Sequence, residues 1–259
     1  MPRVKLVLEY DGTEFVGWQV QPNGRSVQAA VEGALAELLG EPVKVAAAGR
    51  TDSGVHALGQ VAAFSTARVL PMKAYAVGLN GHLPADVAVV AAEEVPEAFD
   101  PRRWSLGKRY RYRISNRGGR SPLRRRTHWE LFAPLDVEAM REGARALLGR
   151  HDFSAFRAAD CEAPHAVREV REVSIAGEAG GEVALEVEGT AFLKHMVRNI
   201  AGTLVEVGKG KRPAGWVAEV LASRDRTRAG QTAPAHGLCL VEVRMGGGPR
   251  AGAEVDDDG

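Results

Sequence analysis

Residues 43–64 place a charged octet between two short apolar runs, and this pattern constrains the local fold strongly. The octet, Gly49-Arg50-Thr51-Asp52-Ser53-Gly54-Val55-His56, follows the run 43–48 and precedes the run 60–64. Apolar runs bounded by glycines are typical of strands, and glycine allows backbone angles that other residues avoid. The octet is therefore predicted to be a tight connection between two strands. From the octet alone, a purely structural Asp-Ser-Gly turn, in which Asp52 caps its own backbone, is favoured over a functional role for Asp52.

Strand and helix signals follow a similar order on both sides of residue 100. The predicted strands are 4–9, the two that flank the octet, 86–95, 106–114, 167–175, 183–188 and 237–244. The predicted helices are 27–39, 71–79, 136–148, 192–207 and 213–221. This pattern indicates an α+β fold made of two halves, each the size of a split βαβ unit. We place the halves at 1–100 and 101–245, and expect a disordered, Gly- and Asp-rich tail at 246–259.

Composition limits the functional classes. The chain of 259 residues is 45% hydrophobic and 26% charged, as is typical of globular proteins. It shows neither an apolar run of membrane-spanning length nor a charged-then-apolar leader, so we expect a cytoplasmic protein without a membrane partner. The two cysteines and seven scattered histidines show no ligand or disulfide spacing. We therefore predict no metal and no cofactor.

Charge is segregated along the chain. The net charge is only +1, yet eleven Lys or Arg residues and no Asp or Glu lie between Pro101 and Arg126. Such a segment creates a local positive field and indicates a nucleic-acid partner.

Within this basic segment, strand alternation at 108–113 puts the arginines on one face and Tyr110 and Tyr112 on the other. A sheet with an arginine-rich solvent face and an aromatic core face fits this segment as well.

The octet, extended to Val61, closely resembles the active-site segment of the TruA family of tRNA pseudouridine synthases. Four further segments resemble the same family in the same order: 9–19, 108–112, 192–199 and 237–240. The resemblance implies two α+β halves whose sheets run together, mainly antiparallel, across a central cleft. It also implies a homodimer that isomerises uridine at positions 38–40 of the tRNA anticodon stem-loop, with one tRNA contacting both subunits.

The resemblance assigns roles to five residues. Asp52 matches the nucleophile, and Arg50 matches an arginine that contacts tRNA and helps to flip the base. Tyr110 matches the tyrosine that stacks on uracil, Arg198 the partner of the catalytic aspartate, and Leu238 an apolar residue that closes the base pocket. A salt bridge between Arg50 and Asp52, and a core position for Leu238, are the structural alternatives. Attack on C1′ of the ribose and on C6 of the base both stay open.

Several further positions are candidate RNA contacts, which would position the tRNA without reading its sequence. They are Arg102, Arg103, the arginines of the loop 117–126, and Asp160, Cys161 and Pro164 in the stretch 160–164. Two other functions use the same features. A non-catalytic RNA-binding protein would need only the basic segment, and an N-glycosidase would use Asp52 to release the base by hydrolysis.

Overall fold

The structure, a computed structural model, describes residues 1–250. The described chain forms two units, of which the first comprises Met1–Leu106 together with residues 240–250, and the second comprises Gly107–Cys239. The sequence predicts one junction near residue 100, whereas the chain crosses between units after Leu106 and again after Cys239. Most of the predicted tail, 251–259, lies outside the described residues. Within 246–250, the N–H groups of Gly246 and Arg250 donate to the carbonyls of Trp104 and Arg103.

The first unit is an antiparallel sheet with short helices. Its elements are β1 (Arg3–Tyr10), α1 (Val27–Leu39), β2 (Ala46–Ala47), β3 (His56–Ser65), α2 (Met72–Ala76) and β4 (Val87–Val95). The strand β1 lies between β4 and β3 and pairs antiparallel with both, while β2 pairs with β3. Alternate residues of β1, including Leu6 and Leu8, are fully buried, as the period of two predicts.

The helix α1 begins and ends where its sequence predicts. The Ser26 hydroxyl accepts a hydrogen bond from the Ala29 N–H at the start, and Gly40 ends the helix at a left-handed φ of 73°. Helix α2 is shorter than predicted, because a separate 3₁₀ turn, Gly78–Gly81, follows it.

The second unit contains further antiparallel strands and a layer of helices. Its elements are β5 (Ser105–Ser115), β6 (Trp129–Glu130), α3 (Val137–Ala144), β7 (Gly149–Asp152), β8 (Val167–Gly177), β9 (Glu182–Gly189), α4 (Met196–Gly208) and α5 (Trp216–Ser223). The last strand, β10 (Leu238–Met245), begins in this unit and belongs to the first unit from Leu240. The strands β5, β9, β8 and β7 pair antiparallel in that order, and β6 adds a short parallel pair to β5.

The predicted α+β class is confirmed, with mainly antiparallel strand pairing. None of the helices described in residues 1–250 is long and apolar enough to cross a membrane.

Helix α4 begins four residues later than predicted. The predicted start, Phe192, precedes the helix, and His195 stands at the N-cap position with a left-handed φ of 62°. A helix cannot propagate through a left-handed residue, so Phe192 and Leu193 pack as part of the preceding loop, where both are buried. The apolar periodicity of 192–207 alone does not reveal this break.

Helix α4 lies directly against a later loop. A Cβ atom added to Gly202 would lie 1.7 Å from the carbonyl oxygen of Gln231, and one added to Gly230 would lie 2.7 Å from the Gly202 carbonyl carbon. The backbones of α4 and of the segment 226–233 therefore touch, and we call this segment the strap. Two glycines make that approach possible.

This contact yields a stability prediction with a matched control. Gly202→Ala is expected to lower the free energy of unfolding by about 1–3 kcal/mol, because the methyl group overlaps a backbone carbonyl. Gly33→Ala in α1 meets no atom within 4 Å and is expected to raise it by up to about 1 kcal/mol. Urea-denaturation midpoints measured by circular dichroism check both changes. A Gly202→Ala protein as stable as the wild type would contradict the packing described here.

Candidate active site

The Asp52 loop is a tight turn closed by its own main chain. The Val55 N–H donates to the Asp52 carbonyl oxygen over 3.1 Å, and Gly54 supplies the left-handed residue at φ 78°. Asp52 is half-buried, whereas Arg50 is exposed. The turn therefore places one carboxylate at the edge of the unit with a guanidinium two residues before it.

The segment Phe15–Trp18 holds this turn in place. The Trp18 N–H donates to the Thr51 carbonyl over 3.0 Å, and the Gly54 N–H donates to the Phe15 carbonyl over 3.2 Å. The Ser53 hydroxyl donates to the same Phe15 carbonyl over 3.2 Å. These bonds fix the backbone on both sides of Asp52.

Two glycines allow the supporting segment to come this close. Gly17 has φ 114°, and a Cβ atom there would lie 2.7 Å from the Thr51 carbonyl oxygen. A Cβ atom at Gly12 would lie 2.0 Å from the Val55 carbonyl oxygen. The sequence analysis did not predict that residues 10–18 support the turn. Gly12 and Gly17, both in the segment 9–19 that resembles the family, could have indicated that two backbones approach closely there.

Side chains add two further buried contacts. The hydroxyl groups of Tyr10 and Thr51 share a hydrogen bond of 2.8 Å, and the Gly12 N–H donates to Nδ1 of His56 over 3.1 Å. The end of β1 and the loop after it are thereby joined to both ends of the octet. The first unit thus presents Asp52 on a rigid support.

In the second unit, Tyr110 and Tyr112 lie on the same face of β5 but differ in their surroundings. Tyr112 is completely buried, and its hydroxyl donates to the Pro234 carbonyl over 2.8 Å. Burial raises the pKa of the Tyr112 hydroxyl far above its usual range, and the nearby charge of Arg198 only partly offsets this. Tyr110 retains 8% exposure and meets the Phe192 ring edge to face at 5.1 Å. Tyr112 is therefore a core residue, and Tyr110 is its more accessible neighbour.

Arg198 is positioned by main-chain contacts with the strap. Its Nε donates to the Ala233 carbonyl over 2.8 Å, and the Ala233 N–H donates to the Arg198 carbonyl over 3.2 Å. The next residue, Asn199, is fully buried, and its Oδ1 accepts hydrogen bonds from Arg226 and from Thr232. The Arg198 side chain thus leaves α4 from a fixed point.

Leu238 is buried at the start of β10. It follows Gly237, where a Cβ atom would lie 2.6 Å from the Tyr112 ring. Leu238 therefore stands one residue from a close contact with the core tyrosine.

Comparison with known proteins decides the family. A family profile described as tRNA pseudouridine synthase matches residues 6–102 and 144–245. This chain belongs to the tRNA pseudouridine synthase family. The tRNA pseudouridine synthase A of Myxococcus xanthus is 71% identical over 251 residues, which cover 97% of this chain and 95% of that protein. The enzyme of the same name from Geotalea uraniireducens strain Rf4 is 52% identical over 94% of this chain and 99% of its own length.

Family membership makes the protein a tRNA pseudouridine synthase, an isomerase. Likeness to solved structures is weaker. The chain aligns with the crystal structure of the archaeal box H/ACA sRNP Nop10–Cbf5 complex with a TM-score of 0.34 and 12% identity, over 93% of this chain and 57% of that one.

The arginines of β5 in this synthase have acidic partners across the sheet. Arg109 lies 2.7 Å from Glu188 and 3.5 Å from Glu172, and Arg111 lies 2.7 Å from Glu186. These carboxylates neutralise part of the basic segment and hold the pKa of Arg109 above its usual range. The positive field of the segment therefore comes from its loops more than from its strand.

The remaining arginines of the basic segment lie on turns. The N–H groups of Arg102 and Arg103 both donate to Oδ1 of Asp100, which fixes the backbone of that turn. Arg103 is exposed and Arg102 is half-buried. The exposed arginines of the later loop are Arg117, Arg120, Arg125 and Arg126.

The stretch 160–164 packs beside the start of α4. Lys194 Nζ donates to Asp160 Oδ2 over 2.7 Å, and this bond holds the pKa of the Asp160 carboxyl below its usual range. The Cys161 side chain is buried, and its carbonyl accepts a hydrogen bond from Arg157. Pro164 is exposed. The stretch thus presents Asp160 and Pro164 to solvent and keeps Cys161 inside.

The support of the Asp52 turn gives a prediction for this synthase. Gly17→Ala combines an unfavourable φ with a clash against the Thr51 carbonyl, so it is expected to displace Asp52. Because the family resemblance assigns Asp52 to catalysis, a displacement near 1 Å is expected to slow pseudouridine formation by roughly 100-fold. Single-turnover pseudouridine formation measures this loss. Gly180→Ala is the control, because its φ of 79° imposes similar strain with no atom within 4 Å. Equal rates for the two variants would contradict the conclusion that the close approach of Gly17 holds the Asp52 turn in place.

Proposed function

We propose that the protein converts uridine to pseudouridine at positions 38–40 of the tRNA anticodon stem-loop, with Asp52 as the nucleophile. The observation that carries the proposal is the rigid support of Asp52, a half-buried residue whose backbone is held on both sides by main-chain hydrogen bonds. A carboxylate can act covalently when it is held against a reactive carbon. In this chain it stands within the segment that matches the family.

The reaction is balanced without a co-reactant. The bond between N1 and C1′ breaks, the uracil turns, C5 bonds to C1′, and the proton leaving C5 is offset by one gained at N1. Asp52 acts either by bonding to C1′ of the ribose or by adding to C6 of the base. In both routes the carboxylate is released at the end, so there is no net hydrolysis and no redox change.

Arg50 is the residue we assign to base flipping. A uridine within a stem must leave its stack before an enzyme reaches its ring, and unstacking costs a few kcal/mol. The Arg50 side chain is exposed and belongs to the turn that carries Asp52. A planar guanidinium there can occupy the space that the base vacates and contact phosphate.

Tyr110 and Leu238 are the residues we assign to the uracil ring. Tyr110 keeps partial exposure and is braced by the edge of Phe192, so its ring is oriented before substrate arrives. Stacking on an aromatic side chain stabilises a base by about 1–3 kcal/mol. Leu238 supplies an apolar surface. Arg198 is assigned to keeping the catalytic carboxylate ionised.

The tRNA backbone is proposed to contact Arg102, Arg103, the exposed arginines of 117–126 and the stretch 160–164. Within that stretch, Asp160 and Pro164 offer exposed surface, and buried Cys161 shapes the loop. The protein is proposed to act in the cytoplasm as a homodimer, with each tRNA contacting both subunits.

The central prediction concerns Asp52. Asp52→Asn, which keeps the shape and removes the charge, is expected to abolish pseudouridine formation in an unmodified tRNA transcript while tRNA binding stays within about threefold of wild type. Carbodiimide labelling followed by mass spectrometry detects the product, and Glu219→Gln serves as an exposed control. Isomerisation by Asp52→Asn would refute the nucleophile. Free uracil from the wild type would indicate an N-glycosidase, and binding without any product would indicate an RNA-binding protein.

A second prediction separates stacking from proton transfer at Tyr110. Tyr110→Leu is expected to lower kcat/KM by roughly 10- to 100-fold, because a stacking surface worth about 1–3 kcal/mol is lost. Tyr110→Phe keeps that surface and is expected to retain kcat/KM if stacking is the whole contribution. Steady-state kinetics on the same transcript compare the two. Equal losses in both variants would show that the hydroxyl, and not the ring, is needed.

A further inference from the structure

A groove outside the proposed catalytic and RNA-binding residues lies in the second unit, between the C-terminal end of α4, the start of α5 and the strap. It encloses about 530 Å³, a volume in the range of small-ligand sites. The side chains used below are Glu206, Lys211, Arg212, Trp216 and Arg228, all of which line it. We call it the α4–α5 groove.

Positive charge dominates the α4–α5 groove. Lys211, Arg212 and Arg228 bring three cations, and all three are exposed. The carboxylate that lines it, Glu206, is already shared by two lysines, with Lys211 Nζ at 3.1 Å and Lys209 Nζ at 3.9 Å. The two arginines therefore give the groove a net positive character, which favours an anionic ligand.

The carbonyl groups at the end of α4 oppose that ligand only weakly. The N–H of Lys211 donates to the Glu206 carbonyl, the N–H of Lys209 to the Val205 carbonyl, and the N–H of Gly210 to the Val207 carbonyl. Carbonyls that are satisfied in this way project less negative charge from the helix terminus.

An aromatic ring orients one of the cations. The Arg212 guanidinium lies over the Trp216 ring, 5.1 Å from its centroid, and Trp216 is half-buried. A guanidinium stacked on a ring loses less freedom when it binds, and its planar donors suit phosphate oxygens. A phosphate ester is the ligand class that matches these features.

The strap joins this groove to Arg198. Thr227–Gln231 forms one wall of the groove, and Ala233 of the same segment bonds to Arg198. Arg226 braces the strap from inside, donating to the Gly230 carbonyl over 2.9 Å and to Thr232 Oγ1 over 3.0 Å. Arg198 and Glu206 are separated by about 12 Å along α4 at 1.5 Å per residue. A ligand in the groove is thus held at a fixed spacing from Arg198.

We propose that the α4–α5 groove binds a phosphate group, with the tRNA backbone as its source. The inference rests on the proposed function, since it assumes that tRNA is the substrate. A free nucleotide offers the same phosphate chemistry. Because the contacts are made by exposed arginines at a distance from Arg198, the groove contributes to affinity and leaves the chemical step unchanged.

The experiment uses the full chain with Arg212→Gln, Arg228→Gln and the double variant. Each loss of one phosphate contact is expected to weaken tRNA binding about threefold to tenfold and to reduce the slope of log K against log salt by about one. Single-turnover rates at saturating tRNA are expected to equal the wild-type rate. Arg145→Gln removes an equally exposed charge in the same unit and serves as the control. Thermal melting verifies that all variants are folded.

A second arm titrates uridine monophosphate and inorganic phosphate into the wild type and the double variant, followed by NMR. Binding of these small ligands that the double variant loses, with unchanged tRNA affinity, would support the phosphate site and identify a free nucleotide as its source. Effects no larger than those of Arg145→Gln in both arms would overturn the proposal. A change in tRNA affinity together with an active Asp52→Asn protein would uphold the groove and refute only the catalytic assignment.

Discussion

The pair of main-chain hydrogen bonds between the Asp52 turn and the segment Phe15–Trp18 is the constraint on which the placement of Asp52 depends. Backbone donors and acceptors have fixed geometry, so they set the backbone position from which the Asp52 side chain extends. Gly12 and Gly17 are needed because any side chain there would meet a carbonyl oxygen. The backbone that carries the carboxylate is thereby fixed before substrate binds, as the proposed role of Asp52 as nucleophile requires.

Local signals predicted the regular elements well. Strand β1 and helix α1 follow from alternation and from the Ser26 and Gly40 caps, because these signals act within a few residues. Strands β6 and β7 were not predicted, since two and four residues are too few for a period to emerge. The late start of α4 depends on the single backbone angle of His195, to which apolar periodicity is insensitive.

The residues of the candidate site could be predicted from the sequence, but the contacts that hold them in place could not. Asp52, Tyr110 and Arg198 follow from the motifs that carry the family resemblance. Asp52 is supported by a hydrogen bond between Gly54 and Phe15, and Arg198 by hydrogen bonds between α4 and Ala233. Residues this far apart in the sequence produce no periodic pattern from which their contact could be predicted. The arginines of β5 illustrate the same limit. Alternation predicted the face on which Arg109 and Arg111 lie, whereas their glutamate partners come from strands about 60 to 80 residues later.

The discontinuity of the first unit has a consequence for biosynthesis. Strand β10 lies beside β3 in the sheet, and the chain reaches Leu240 only after the whole second unit, Gly107–Cys239, has been made. At about 5–20 residues per second, a ribosome needs roughly 7–27 s for that interval. During it, the edge of β3 opposite β1 is paired only with the two residues of β2, and an unpaired strand edge invites aggregation. The order of translation therefore favours early completion of the second unit, and the unit that carries the Asp52 turn is finished last.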